Sequence, residues 1–166
     1  MRQRKVIFLD RDGVINKKMA EGDYVKRWDE FQFLPGVTDA LKLLAQNDCE
    51  IFIITNQRGI ALGRLSEDDL GNIHANMQFF LAAHGVKISD IYYCPHDKDA
   101  CECRKPKPGM LLQAAREHSI DFSEAVLIGD SASDIAAGKA AGCKTLLVDS
   151  KKNLLQAVQE LFAEKI

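Results

Sequence analysis

Five short segments of the chain consist almost entirely of apolar residues, and longer segments of mixed polarity separate them. The apolar segments are residues 5–10, 50–55, 90–94, 125–130 and 144–149. Continuous apolarity, in contrast to strict alternation with polar residues, is typical of strands that are covered on both faces in a parallel sheet. The pattern therefore predicts five buried, parallel strands.

The segments between these strands show helical spacing of apolar residues. The first helix follows Pro35, which fits a first helical turn, and the second begins at Ser66, which forms a capping-box pattern with Asp69. Three further helices are predicted over residues 109–118, over 131–141 and after residue 153. The predicted inward-facing residues are Val37, Ala40, Leu41 and Leu44, then Leu70, Ile73, Met77 and Phe80, and finally Leu154, Ala157, Val158 and Leu161.

The alternation of five strands with five helices predicts a doubly wound α/β fold with a mainly parallel sheet. The sequence contains no internal repeat or Gly/Ser linker, so we expect residues 1–166 to form one domain. Single helices fill the intervals between strands, which leaves no room for a large cap domain. We expect loops, including residues 17–34, to cover a site at the carboxyl ends of the strands, where such sheets bind their ligands.

The chain has 166 residues, of which 46% are hydrophobic and 28% are charged, a balance typical of a globular protein. The formal net charge of -2 provides no overall positive field for nucleic acid or an anionic membrane. No apolar run approaches the ~18 residues of a membrane span, and the N-terminus lacks a signal-peptide pattern. We therefore expect a cytoplasmic protein whose cysteines are reduced.

Two carboxylates follow the first predicted strand, at Asp10 and Asp12, on either side of Arg11. Such a pair can divide the roles of nucleophile and acid–base catalyst, or can share a divalent cation. Gly13 allows the chain to turn sharply beside them. The alternative interpretation is a solvated Asp-Gly turn without chemistry.

The segment after the second predicted strand offers hydrogen-bond donors that suit phosphate oxygens. It provides a hydroxyl, two amides, a guanidinium and free backbone N–H groups. An ordinary polar loop is the alternative. The residues are Thr55, Asn56, Gln57, Arg58 and Gly59.

Two later segments add cations and a further carboxylate. Arg104, Lys105 and Lys107 place three cations within four residues, which suits a phosphoryl group, although a solvated basic loop would have the same composition. Asp130 closes the fourth predicted strand and could complete an oxygen-ligand set for Mg2+. Asp134 lies in the first turn of the next helix, where it could cap that helix or order its neighbours.

Four potential zinc ligands lie within ten residues, in the pattern C-x-H-x4-C-x-C. Three thiolates and one imidazole match the number and kind of ligands in a closed, structural Zn2+ site. The alternative is a loop of reduced cysteines without metal. We interpret the remaining cysteines as small buried apolar residues and the remaining histidines as surface or packing residues. The predicted ligands are Cys94, His96, Cys101 and Cys103.

The order D-x-D, Thr, Lys and GD-x-x-x-D along the chain resembles the haloacid dehalogenase (HAD) superfamily of aspartate-nucleophile phosphatases. The resemblance implies a Rossmann-like fold, Mg2+ dependence and an aspartyl-phosphate formed on Asp10. It implies that Asp12 is the general acid and then the base, that Thr55 binds the phosphoryl group and that Lys105 orients Asp10. The implied Mg2+ ligands are Asp10, the Asp12 backbone carbonyl and Asp130.

The stretches DRDGVIN, TNQRGIALG, YYCPH and CRKPKPGM are similar to those of the heptose 1,7-bisphosphate 7-phosphatases and, nearly as closely, to those of histidinol-phosphate phosphatase domains. The resemblance implies a small phosphorylated sugar as substrate, with no nucleic-acid or membrane partner, and we expect a monomer. A phosphate-binding module without catalysis is the remote alternative. The implied substrate-binding residues are Arg11, Asn56, Gln57, Arg58 and Arg104.

Overall fold

The computed structural model describes residues 4–164, which are built around a five-stranded parallel sheet. The strands are β1 (Val6–Leu9), β2 (Glu50–Asn56), β3 (Asp90–Cys94), β4 (Ala125–Gly129) and β5 (Lys144–Leu147). Their order is β3-β2-β1-β4-β5, and each neighbouring pair is parallel. The predicted doubly wound α/β fold is confirmed, and the strand order reverses between β1 and β4.

Helices cover both faces of the sheet. They are α1 (Val37–Gln46), α2 (Glu67–Ala83), α3 (Gly109–His118), α4 (Ala132–Ala141) and α5 (Leu154–Ala163). Successive strand residues point to opposite faces. Ile7 and Leu9 of β1 therefore pack with α1, α2 and α5, whereas Val6 and Phe8 pack with α3 and α4. Burial on both faces explains the continuous apolarity of β1, β2 and β4, whereas the edge strands β3 and β5 are partly exposed and do not meet the prediction of full burial.

The helix starts follow the predicted capping chemistry. Ser66 Oγ accepts a hydrogen bond from the Asp69 N–H at 3.0 Å, and the Asp69 carboxylate accepts one from the Ser66 N–H at 2.8 Å. One predicted inward position of α2 is wrong: Leu81 is fully buried, whereas Phe80 is only partly buried and stacks on Phe33. With 3.6 residues per turn, the inward-facing positions shift around the helix over four turns. The next inward residue after Met77 is therefore four positions on, at Leu81, and not three positions on, at Phe80.

Residues 17–34 form a loop over the carboxyl end of the sheet. Its base is joined to the turn after β1, because the Leu34 N–H donates to the Ile15 carbonyl at 2.9 Å. Trp28 stacks on Phe31 with ring centroids 5.0 Å apart. Loops rather than a large cap domain cover the site in the part of the chain that the structure describes, as expected. Between residues 4 and 164, no helix has the length and apolarity needed to span a bilayer.

Candidate active site

The carboxyl ends of β1, β2 and β4 meet the loop after β3 around a cavity of about 260 Å³. The parallel strands place their following residues at one edge of the sheet, at the point where the strand order reverses. Residues from all of these segments, which are far apart in the sequence, line the same cavity. Among them are Asp10, Asp12, Gln57, Arg104, Lys105 and, from the covering loop, Lys18.

Lys105 is a buried cation held between two aspartates. Its Nζ donates to Asp10 Oδ1 at 2.9 Å, to Asp134 Oδ1 at 2.6 Å and to the Ile54 carbonyl at 3.1 Å. Burial lowers the pKa of Lys105, but the charges of Asp10 and Asp134 outweigh burial and raise this pKa above its usual value. Lys105 therefore stays charged beside Asp10.

Asp10 is oriented by donors on one of its two oxygens. Besides Lys105, the Arg11 N–H donates to Oδ1 at 2.8 Å, so Oδ2 is the oxygen left for attack on an electrophile. Burial raises the pKa of Asp10 to about 8, although the Lys105 charge opposes this shift. A divalent cation beside the carboxylate would favour its ionised form, which is the form that a nucleophile requires.

The carboxylates beside Asp10 have the composition of a Mg2+ site. Ligand oxygens of Asp10, Asp130 and Asp134 lie within 4.8 Å of one another. Asp130 Oδ1 is buried without a hydrogen-bond partner, and Oδ2 accepts from Lys18 Nζ at 3.1 Å. A buried carboxylate oxygen without a donor is what a hard cation would satisfy. The residues present therefore fit Mg2+.

Asp134 supports the site through hydrogen bonds at both of its oxygens. Its Oδ1 binds Lys105, and its Oδ2 accepts from the Asp130 N–H at 3.1 Å, the Ser131 N–H at 3.2 Å and Ser131 Oγ at 2.9 Å. With both oxygens occupied, Asp134 caps α4 and fixes Lys105. This is the ordering role that its position in the first helical turn suggested.

Asp12 is held at both of its oxygens. Oδ1 accepts from Arg11 Nη2 at 2.8 Å and Asn16 Nδ2 at 2.9 Å, and Oδ2 accepts from Gln57 Nε2 at 2.9 Å. Burial raises the pKa of Asp12, but the Arg11 charge and these hydrogen bonds together hold it below its usual value. Gln57 lines the cavity, whereas Arg11 and Asn16 lie behind its wall, so Oδ2 is the oxygen on the cavity side.

The end of β2 and the residues that follow it support the cavity wall, and each residue does so through a different contact. Thr55 is fully buried, and its hydroxyl accepts from Gln57 Nε2 at 2.9 Å, so it lies beneath Gln57. The Asn56 side chain binds the Lys105 backbone twice: Nδ2 donates to the Lys105 carbonyl and Oδ1 accepts from the Lys105 N–H, both at 3.1 Å. Arg58 pairs with Asp97 of the cysteine-containing loop. The segment thus connects β2 to that loop.

Two of the predicted substrate-binding arginines have contrasting surroundings. Arg104 lines the cavity, and its Nη1 is buried without a partner, which leaves a donor for a ligand oxygen. Arg11 is fully buried, and its guanidinium donates to Asp12 and contacts His74. The structure therefore contradicts the expectation that Arg11 touches substrate, because its polar end points into the protein.

Sequence reasoning missed two residues of the site. Lys18 belongs to the covering loop, and no pattern in the sequence links that loop to Asp130. The interpretation of His74 as a surface or packing residue is correct as to packing, since the side chain is buried, but it did not include the contact of Nε2 with Arg11 Nη1 at 3.0 Å. Its position beside Ile73, on the inward stripe of α2, was the available signal.

The four predicted zinc ligands converge at one point. The three sulfur atoms are 3.1–3.5 Å apart, and His96 Nδ1 lies 3.5 Å from Cys94 Sγ and 3.2 Å from Cys103 Sγ. A tetrahedron with metal–sulfur bonds of ~2.3 Å has edges of about 3.8 Å. The cluster is thus nearly the size of a zinc site, and the cysteines form no disulfide.

Comparison with known proteins identifies the family. The HAD-hydrolase-like family model matches residues 102–164, which include Lys105, Asp130 and Asp134. A D-glycero-beta-D-manno-heptose-1,7-bisphosphate 7-phosphatase of Pasteurella multocida (strain Pm70) is 42% identical over 161 residues, covering 92% of this chain and 86% of that protein. The chain belongs to this family of HAD-like phosphatases.

Two further relatives extend the comparison. A D-glycero-alpha-D-manno-heptose-1,7-bisphosphate 7-phosphatase of Mycobacterium bovis (strain ATCC BAA-935 / AF2122/97) is 43% identical over 131 residues, covering 78% of this chain and 68% of that protein. The crystal structure of a D,D-heptose 1,7-bisphosphate phosphatase from B. bronchiseptica, complexed with magnesium and phosphate, has a TM-score of 0.89 and 35% identity. The match covers 96% of this chain and 99% of that one. This HAD-like phosphatase is accordingly a phosphoric monoester hydrolase.

Proposed function

We propose that this chain hydrolyses the 7-phosphate of D-glycero-D-manno-heptose 1,7-bisphosphate through an aspartyl-phosphate on Asp10. The observation that carries the proposal is that Asp10, Asp12 and Lys105 line one cavity, with Asp130 beside Asp10, in a chain related to enzymes of that name. The buried Lys105 and the Asp130 oxygen without a donor match a site for an anion and its cation. The sequence resembles both heptose bisphosphate and histidinol-phosphate phosphatases, and the relatives described above are named heptose bisphosphate phosphatases.

The reaction follows from the groups on each side of the cavity. Asp10 Oδ2 attacks phosphorus while the phosphorus–oxygen bond to the sugar breaks. Asp12 takes up a proton from solvent when the anionic phosphate binds beside it, and gives that proton to the departing alkoxide. Asp12 then takes a proton from the water that cleaves the aspartyl-phosphate. Lys105 and Arg104 offset charge on the phosphoryl oxygens. When bound by Asp10, Asp130 and the Asp12 carbonyl, Mg2+ supplies electrostatic stabilisation of that charge.

The relatives also suggest which anomer is used. The Pasteurella protein and the other six of the first seven relatives carry the beta name, and the Mycobacterium protein carries the alpha name. We therefore include a preference for the beta anomer in the proposal. The cavity is covered only by loops, so discrimination rests on a small number of side chains.

Phosphate release in the presence of Mg2+ tests the function. The substrates are both anomers of heptose 1,7-bisphosphate, histidinol phosphate and p-nitrophenyl phosphate, and we expect the highest kcat/KM for the beta bisphosphate. NMR of the product should show the phosphate retained at position 1. A higher kcat/KM for histidinol phosphate would replace the substrate assignment, and no release from any ester would refute the catalytic assignment.

We also propose that Cys94, His96, Cys101 and Cys103 bind one structural Zn2+. Cys103 directly precedes Arg104, so metal at this point would fix the loop that carries the cations of the active site. Lys107 Nζ donates to the Cys101 carbonyl at 2.8 Å and closes the loop on itself. A metal-binding cluster of thiols also fits a cytoplasmic, reducing location.

Metal analysis tests the zinc site. Protein purified without chelator should contain about one zinc per chain. Protein that contains no zinc but is fully active would refute the assignment.

A further inference from the structure

Arg11 and His74 form a buried polar pair between the turn after β1 and α2. The Arg11 side chain is fully buried, and His74 is 7% exposed. Arg11 Nη1 lies 3.0 Å from His74 Nε2, and Nη2 lies 2.8 Å from Asp12 Oδ1. The Phe31 ring covers the guanidinium at 5.7 Å from the ring centroid. The two terminal nitrogens of Arg11 thus connect α2 to Asp12.

The chemistry of the pair defines the state of the imidazole. An arginine has only donors, so His74 Nε2 must accept the hydrogen bond and the ring must be neutral, with its proton on Nδ1. Burial and the adjacent Arg11 charge lower the pKa of His74 to about 3, in agreement with this state. His74 therefore adds an acceptor for Arg11 without adding a second charge.

Simple packing does not account for this pair. Burying a guanidinium is costly unless it is paired, and His74 supplies an acceptor for Arg11 Nη1 that an apolar residue at position 74 could not supply. Arg11 Nε is also buried without a partner. The Arg11 guanidinium therefore leaves Nε unsatisfied while Nη1 and Nη2 contact His74 and Asp12. The guanidinium is thus held in the orientation that contacts Asp12 and His74, although this orientation leaves Nε without a hydrogen bond.

We propose that His74 is a positioning residue for the acid–base step: by holding Arg11, it fixes Asp12 Oδ1 and leaves Oδ2 to exchange the proton. The proposal rests on the role of Asp12 in the proposed function. Asn16 donates to the same oxygen from another side, and within residues 4–164 Gln57 is the one residue whose side chain donates to Oδ2. Without His74, Arg11 Nη1 would have no acceptor at this position, and the guanidinium could rotate away. Asp12 Oδ1 would then lose the Arg11 donor that fixes its orientation.

Three variants separate this role from a structural one. His74→Leu removes the acceptor, whereas His74→Gln keeps an acceptor oxygen at similar reach. Met77→Leu is the control for packing, because Met77 is fully buried on the same face of α2 and carries no polar role. Thermal unfolding of each variant shows whether the fold is kept.

The kinetic readout uses two leaving groups. A sugar alkoxide needs a proton to depart, whereas p-nitrophenolate does not, and both reactions need the base in the second step. For His74→Leu we expect kcat on heptose bisphosphate to fall about tenfold or more, with KM unchanged. The rate of p-nitrophenolate release in the first turnover should stay at the wild-type value. Later turnovers should be slower, because each of them waits for hydrolysis of the aspartyl-phosphate. His74→Gln should recover most of the loss, and Met77→Leu should resemble the wild type.

The outcomes distinguish this inference from the proposed function. If wild-type protein cleaves only p-nitrophenyl phosphate, the heptose assignment fails, but the comparison of first and later turnovers still decides the role of His74. Equal slowing of the first and later turnovers in His74→Leu would indicate a general structural defect and overturn the inference. Wild-type rates in His74→Leu, or no recovery in His74→Gln, would also overturn it.

Discussion

The turn after β1 leaves space for the Asp130 carboxylate, and Gly13→Ala tests this arrangement directly. Gly13 has a φ of +89°, and a Cβ there would lie 2.0 Å from Asp130 Oδ2 and 2.7 Å from its Cγ. Real Cβ atoms essentially never approach a heavy atom within 3.0 Å. The carboxylate would therefore move by about 1 Å, several times the ~0.2 Å tolerance of metal–ligand distances.

The same substitution at Gly85 provides a matched control. Gly85 has a φ of +76° but nothing within 4 Å of its Cβ position, so Gly85→Ala has the backbone strain without the contact with Asp130. Left-handed backbone costs a non-glycine residue roughly 1–2 kcal/mol. We expect both variants to lose at least this much in the free energy of unfolding.

Only Gly13→Ala should also alter the response to magnesium. Displacement of Asp130 should raise the Mg2+ concentration that gives half-maximal activity by about 10–100-fold, a range typical of disturbed metal sites. The assay is phosphate release against Mg2+ concentration, beside urea unfolding of both variants. If Gly13→Ala and Gly85→Ala had the same Mg2+ dependence, Asp130 would not be a ligand whose position Gly13 controls.

Further substitutions test the other parts of the site. Asp10→Asn should reduce turnover to background while a cooperative unfolding transition remains; turnover at the wild-type rate would exclude Asp10 as the nucleophile. Asp134→Asn leaves Lys105 with one carboxylate, so urea unfolding should show a loss of about 3 kcal/mol or more, and an unchanged midpoint would argue against the ion pair. Cys101→Ser should abolish zinc binding and lower both kcat and the melting temperature, whereas intact melting without zinc would show that the loop is ordered without metal.

Much of the fold followed from local patterns in the sequence. The strands were visible because residues such as Ile7 and Phe8 point to opposite faces and both faces are covered. The capping pair Ser66 and Asp69 was visible because its geometry needs only four consecutive residues. The helix cap depends on residues that are close in sequence, and the apolar strands depend on the exclusion of solvent from both faces of the sheet. Both can therefore be read from local sequence.

The residues that the sequence did not assign depend on contacts between distant segments. Arg11 and His74 are 63 positions apart, and nothing near either residue shows that they meet. Lys18 reaches Asp130 across 112 positions. The type of side chain at each position was evident, but whether a cation faces the cavity or the interior depends on tertiary packing. This is why Arg11 was assigned to substrate and His74 was not assigned to the site.

The strand order has a consequence for how the enzyme emerges from the ribosome. β1 is synthesised first, yet its neighbour β4 follows only after β2, β3 and the cysteine loop. Until then one edge of β1 lacks a partner, and Asp10 lacks the Asp130 carboxylate. A nascent chain that ends before β4 therefore has three of the five strands and Lys105, but it lacks Asp130. Asp10 and Asp130 come together only after β4 is synthesised, so we expect catalytic competence to appear late in synthesis.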